Sequence, residues 1–177
     1  MRIISGIYKG RAIHPPKNLR ARPTTDFAKE NLFNVLNNLV DFETCDVLDL
    51  FAGTGSISYE FASRGARSVT AVEINATHYD FIRRTARELG CTSLFAVKAN
   101  VFLYLKNCVK RFDVIFSDAP YDLAGSEEII SMVFEHDLLQ EGGLLIFEHS
   151  RQLDFTGHSR FWQHRSYGSV QFSFFKK

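Results

Sequence analysis

The sequence is short of cysteine, of proline and of long apolar runs, and each shortage closes off a class of protein. Its three cysteines, Cys45, Cys91 and Cys108, lie far apart with no CxxC pair, so neither a zinc knuckle nor a disulfide framework is supported. They read as small buried hydrophobes kept reduced, and no metal is expected. The apolar runs are brief and broken by charge, far below the roughly 18 residues that a membrane span requires. Met1 leads straight into the strand-like RIISG, where a secretory leader would place basic residues and an apolar segment. The expectation is a cytoplasmic protein with no membrane association. Internal repeats and low-complexity tracts are also missing.

What is present fits one domain, residues 1–177, with a sizeable core: 45 % of the residues are apolar and 23 % charged. The net charge of +1 hides an asymmetry. Residues 1–22 hold six Lys/Arg and no acid, residues 23–150 hold ten bases against nineteen acids, and residues 151–177 hold five bases against one acid. Basic ends suit a polyanion, because Lys and Arg that neutralise phosphates supply most of the sequence-independent affinity for nucleic acid. Solvated termini would give the same count, and charge alone leaves both readings open.

The middle of the chain alternates in type. Apolar, β-branched runs at 45–51, 68–73, 93–99, 112–118 and 143–149 have the character of buried strands. Helical stretches separate them. SISYEFASRG ends at Gly65, NATHYDFIRRTARELG runs from a cap at Asn75 to Gly90, NVFLYLKNCV opens on Asn100, and GSEEIISMVFEHDLL starts with Ser126 and two glutamates. This alternation predicts an α/β fold with a doubly wound, mostly parallel sheet. After Gly143 the pattern becomes FWQHRS, YGS, VQFSFFKK, which predicts a closing antiparallel hairpin. At the other end, RIISGIYKGRAIHPP reads as a small β-hairpin around Gly6 and Gly10. A helix capped by Thr24 or Thr25 follows, with Ala28, Leu32, Val35, Leu36 and Leu39 on its apolar face.

In an open parallel sheet, ligands bind beyond the carboxyl ends of the strands. The first strand ends in DLFAGTGS, with Asp49 ahead of Gly53 and Gly55. A dinucleotide fingerprint would need a third glycine where Ser58 stands, and an acid before the loop would repel a pyrophosphate. That acid suits a cation such as an α-amino group or a sulfonium. The second strand ends in Glu73, about twenty residues on, where a carboxylate can accept both hydroxyls of a ribose. The third ends near Asn100, which can hold an amino-purine edge or cap the next helix. The fourth ends in Asp118, Ala119, Pro120 and Tyr121.

This strand-end set resembles that of class I S-adenosylmethionine (SAM) methyltransferases, and DAPY resembles the [DN]-P-P-[FYW] motif of those that methylate exocyclic amines of nucleobases. RIISGIYKGRAI, RPTTDFAKENLFN, DLFAGTGSISYEFASRGA and VEIN together resemble the RsmD family, bacterial 16S rRNA guanine-N2 methyltransferases. The likeness is strong over residues 1–125 and loose beyond. It implies a Rossmann-like, seven-stranded sheet. It also implies SAM, leaving as S-adenosylhomocysteine, held by Asp49, Phe51, Gly53, Gly55, Glu73, Ile74, Asn100 and Val101. Residues 23–177 would form this catalytic core. The basic extension 1–22 would face RNA through Lys9, Arg11, Arg20 and Arg22, with Thr24 and Thr25 beside it. The implied partner is 16S rRNA, free or within a small-subunit particle, met by a monomer.

The chemistry asked of DAPY is specific. The lone pair on guanine N2 is delocalised into the ring, and accepting hydrogen bonds from both of its N–H groups localises density on nitrogen. Asp118 offers one acceptor and the carbonyl of residue 119 the other, while Tyr121 stacks on the base. The base must first be turned out of its stack. Ala119 stands where the family carries its first proline, which keeps the carbonyl but frees a torsion. A weakly active or inactive rRNA-assembly protein, and a methyltransferase for adenine N6 or DNA, are the alternatives. His149 reads as a structural histidine, Phe161 and Trp162 as packing for the last hairpin, and Asp26 either as a local partner for arginine or as part of the substrate entrance.

Overall fold

A computed structural model describes residues 1–16, 25–121 and 123–177. Seven strands form one sheet: β1 (Asp46–Leu50), β2 (Ser68–Glu73), β3 (Leu94–Lys98), β4 (Phe112–Ser117), β5 (Leu139–His149), β6 (Phe161–Tyr167) and β7 (Val170–Lys176). Their order is β3-β2-β1-β4-β5-β7-β6. The first five are mutually parallel, and β7 runs antiparallel to both β5 and β6. Strand order therefore reverses between β1 and β4, so a crevice opens above their carboxyl ends.

The central strands β1 and β4 are buried on both faces, which is why they read as nearly unbroken apolar runs. Helices α1 (Asp26–Leu36), α2 (Ser56–Ser63) and α3 (Ala76–Glu88) cover one face, packing Leu32, Phe61 and Ile82 on Val47, Val69, Val114 and Phe116. Helices α4 (Val101–Asn107) and α5 (Glu128–Glu135) cover the other, packing Leu105, Ile129 and Val133 on Leu48, Ile115 and Leu145. Caps fix where these helices begin. Thr25, Asn75 and Asn100 each accept a hydrogen bond from a backbone N–H of the first turn, at 3.1, 2.9 and 3.2 Å respectively.

Several expectations need correction. The N-terminal hairpin forms an isolated antiparallel bridge, Arg2 to Ala12, in place of two strands, with Ile3 N donating to Arg11 O and Ile13 N to Met1 O at 3.1 and 2.9 Å. Helix α1 stops at Leu36, so Leu39 lies past its end and is exposed. Helix α5 starts at Glu128 behind Glu127 without a side-chain cap, and Ser126 is no cap at all. Strand β5 begins at Leu139, four residues before the expected start, through a register shift between Phe112 and Val114 of β4. Phe161 does pack edge-on against Phe175, but Trp162 lies on the outer face beneath Lys176. Thr24, Arg20 and Arg22 fall outside the described residues.

Candidate active site

Beyond the carboxyl ends of β1, β2, β4 and β5 lies a cleft of about 420 Å³, within the usual size of a small-molecule site. Its floor at the β1 end is a strained turn. Phe51, Gly53 and Gly55 all have positive φ, at 59°, 54° and 85°. Only the glycines do this without a Cβ penalty, so Phe51 holds a conformation that costs on the order of 1 kcal/mol. Gly55 is constrained twice, because a Cβ there would also meet the Tyr59 ring at 2.8 Å.

Glu73 holds this turn in place. One carboxylate oxygen accepts from Gly53 N at 2.8 Å and the other from Asn75 N at 2.7 Å, so a single side chain joins the loop after β1 to the start of α3. Each oxygen keeps a lone pair for a further donor. Asp49 is buried behind the loop and accepts from the Ser58 hydroxyl at 2.5 Å. Burial, followed by the nearby charges of Asp118 and Glu73, pushes its carboxyl up to about 7 against the pull of Ser58.

The far end of the cleft is lined by Phe116, Asp118, Ala119, Pro120, Tyr121 and Glu148. Tyr121 is 54 % exposed at the rim, while Ala119 is buried with its methyl in the core between the sheet, α4 and α5. Thr25 closes the side nearest α1. The described lining contains four carboxylates, Asp49, Glu73, Asp118 and Glu148, and no Lys or Arg. A ligand that presents positive charge or several N–H donors is the chemical match for such a surface.

A family model described as Conserved hypothetical protein 95 matches residues 1–176. Ribosomal RNA small subunit methyltransferase D of Haemophilus influenzae is 34 % identical over 152 residues, 84 % of this chain and 78 % of that protein. The chain belongs to the RsmD family. The Buchnera aphidicola (Baizongia pistaciae) protein of the same name is 30 % identical over 154 residues, 87 % of this chain and 78 % of its own. A Thermus thermophilus 16S rRNA N2 methyltransferase, RsmC, solved with AdoMet and guanosine, shares the fold. Its TM-score is 0.70 at 21 % identity, over 89 % of this chain and 45 % of that one.

The RsmD-family strand-end residues do not all reach the cleft. Asp49, Phe51, Gly53, Glu73, Ile74 and the four residues 118–121 line it, as does Thr25. Gly55 sits one step back as the N-cap of α2. Asn100 is exposed and spends its side-chain oxygen on capping α4, and the Val101 side chain is buried in the core. Of the two roles open to Asn100, the cap is the one observed. Lys9 and Arg11 are exposed on the hairpin. His149 is structural, with its ring nitrogens bonded to Ser150 O and Ser173 Oγ at 2.8 Å each and its pKa lowered chiefly by burial.

Sequence reasoning missed the support beneath this RsmD-family site. Glu60 of α2 is fully buried and accepts from Ile4 N at 2.9 Å, from Ser5 N at 3.1 Å and from Arg64 at 2.9 Å. Lys29 of α1, also buried, donates to Arg2 O at 2.6 Å and to Ser56 Oγ at 3.3 Å, with Glu60 3.8 Å away. Burial lowers the Lys29 pKa, partly countered by Glu60 and Asp26. The signal was available, since Lys29 shares the helix face of Leu32 and Leu36, where a solvated lysine would not sit. Asp26 pairs locally, with Arg2 at 3.7 Å.

Proposed function

We propose that this protein methylates the exocyclic N2 amine of a guanine in bacterial 16S rRNA, using SAM and releasing S-adenosylhomocysteine. The observation that carries the reading is the acidic cleft: carboxylates at the ends of β1, β2, β4 and β5 around one space, with the DAPY loop at its far end. SAM supplies an electrophilic methyl group on a cationic sulfur. The donor set fits it, because Asp49, unfavourably charged next to Asp118 and Glu73, is relieved by a cation. Glu73 keeps acceptor capacity for ribose hydroxyls, and Phe51 and Ile74 give apolar contact to an adenine.

At the other end, Asp118 and the carbonyl of Ala119 accept the two N2 hydrogens and Tyr121 stacks on the base. Methyl transfer would form the N2–C bond as the methyl–sulfur bond breaks, the electron pair staying on the sulfur of S-adenosylhomocysteine, and Asp118 would accept the N2 proton that is displaced. The Asp118 hydrogen bond strengthens as positive charge develops on N2, so it acts in the transition state more than in binding. Residues 1–22 face RNA, with Lys9 and Arg11 toward phosphate, and residues 23–177 form the catalytic core. We further propose that the protein works in the cytoplasm as a monomer, on rRNA either free or within a small-subunit particle.

Mass spectrometry of 16S rRNA from cells lacking the gene tests this directly. One N2-methylguanine is expected to disappear and to return with the intact gene. Asp118→Ala should lower kcat by roughly two to four orders of magnitude, leave the guanine unmethylated and, by calorimetry, change SAM affinity by no more than about threefold. Unchanged methylation in the deleted strain would remove the assignment.

A further inference from the structure

Glu148 belongs to no motif, yet it is only 5 % exposed and lines the far end of the cleft. The sheet explains how it arrives there. In the parallel pairing of β4 with β5, Phe116 lies opposite Ile146 and Ser117 opposite Phe147, so continuing the ladder by one rung sets Asp118 beside Glu148. Alternation along β5 fixes the face. Leu144 and Ile146 belong to the same core as Val114 and Phe116, whereas Leu145 and Phe147 belong to the opposite one. Glu148 therefore shares the face of Phe116 and Asp118, and both acids border the same space. Next along β5, His149 turns to the opposite face.

We infer that Glu148 is a specificity-determining residue that accepts the N1–H of the target guanine while Asp118 accepts from N2. The inference rests on the guanine-N2 reading above and adds the base-reading element that it lacks. Two acceptors on one amine do not distinguish nucleobases, since adenine N6 and cytosine N4 carry the same pair of hydrogens. The ring nitrogen next to the amine does distinguish them. In guanine it is N1–H, a donor; in adenine it is N1 and in cytosine N3, both acceptors. A buried carboxylate beside the amine pocket attracts the first and repels the other two. A site built to bond a donor rejects analogues lacking it far more strongly than an apolar pocket could, because its own polar atom is left without that partner.

The test uses small-subunit rRNA carrying either guanine or 2-aminopurine at the mapped position, free and reconstituted into the subunit. 2-Aminopurine keeps the N2 amine but presents a bare acceptor at N1. The intact enzyme is expected to methylate it about a hundredfold less efficiently than guanine. Glu148→Gln can turn its amide N–H toward that acceptor. It should lose about tenfold or more on guanine and bring the guanine to 2-aminopurine ratio close to one, with SAM affinity and Tm unchanged. If the intact enzyme methylates 2-aminopurine within threefold of guanine, or if Glu148→Gln leaves the ratio where it was, Glu148 does not read N1 and the N2 activity stands without it. Label entering adenine in place of either base would instead overturn the guanine reading itself. The arm with intact enzyme depends on no variant's folding.

Discussion

At the residue scale, Asp49 makes the site sensitive to pH. Its carboxyl, pushed up to about 7 by burial and by Asp118 and Glu73, is largely protonated at pH 6 and ionised at pH 8. A cationic ligand prefers the ionised form, so binding releases a proton below neutrality. SAM affinity should rise by up to about tenfold per pH unit from pH 5.5 to 7 and level off above. Calorimetry across that range, in two buffers of different ionisation enthalpy, reads both the slope and the proton. The stability effect of the unliganded protein has the opposite sense. A folded pKa above the unfolded one gives stability that is present below about 4 and lost as pH rises through about 7. Asp49→Asn keeps an acceptor for Ser58 and should flatten the affinity profile while raising Tm at pH 8 but not at pH 4. A pH slope that survives in Asp49→Asn would assign the titration to another group.

At the scale of elements, the N-terminal hairpin is anchored in the hydrophobic core. Ile3 and Ile13 are buried with Leu32 and Phe61, and Gly6 presses on the end of α2. Ile7 N donates to Ser63 O at 2.7 Å, and Tyr8 N to Ser63 Oγ at 3.0 Å. A Cβ on Gly6 would stand 1.8 Å from the Ser63 carbonyl oxygen, whereas a Cβ on Gly10 meets nothing within 4 Å, although both have φ near +80°. Gly10→Ala should therefore cost only the backbone term, about 1 kcal/mol. Gly6→Ala must also displace the hairpin from Glu60 and Ser63, and should cost about 3 kcal/mol or more. Urea unfolding compares the two, and equal costs would mean that the hairpin does not depend on this contact. The sequence pattern was enough to mark both glycines as turn residues, and to locate the alternating strands and the acids at their ends, because those depend on local periodicity. It could not separate Gly6 from Gly10, or show Glu60 and Glu148 as buried, because those facts are contacts between segments more than fifty residues apart or rungs of a ladder. Asn100 is the converse case: its local capping preference was legible, and the cap is present in the structure.

For the whole molecule, the described cleft is acidic while the N-terminal sequence is basic, and the two should be separable by experiment. The first 22 residues carry +6. Removing them would take Ile3 and Ile13 out of the core and uncover Lys29 and Glu60, so truncation would confuse folding with binding. Neutralising exposed charges avoids this. Lys9 and Arg11 make no ion pair within 4.0 Å among the described residues, so Lys9→Gln with Arg11→Gln should leave the fold intact. If each cation displaces one counterion from the RNA, the slope of log affinity against log salt should become shallower by about 1.4 for single-stranded and about 1.8 for duplex contacts. RNA affinity should fall most at low salt, where release of counterions contributes most, and SAM affinity should not change, since the cleft lining contains neither residue. Filter binding from 50 to 300 mM salt gives the slope and calorimetry gives the SAM affinity. A double variant with the parental salt slope would move the RNA surface away from this face of the hairpin, toward the basic residues of β6 and the chain end.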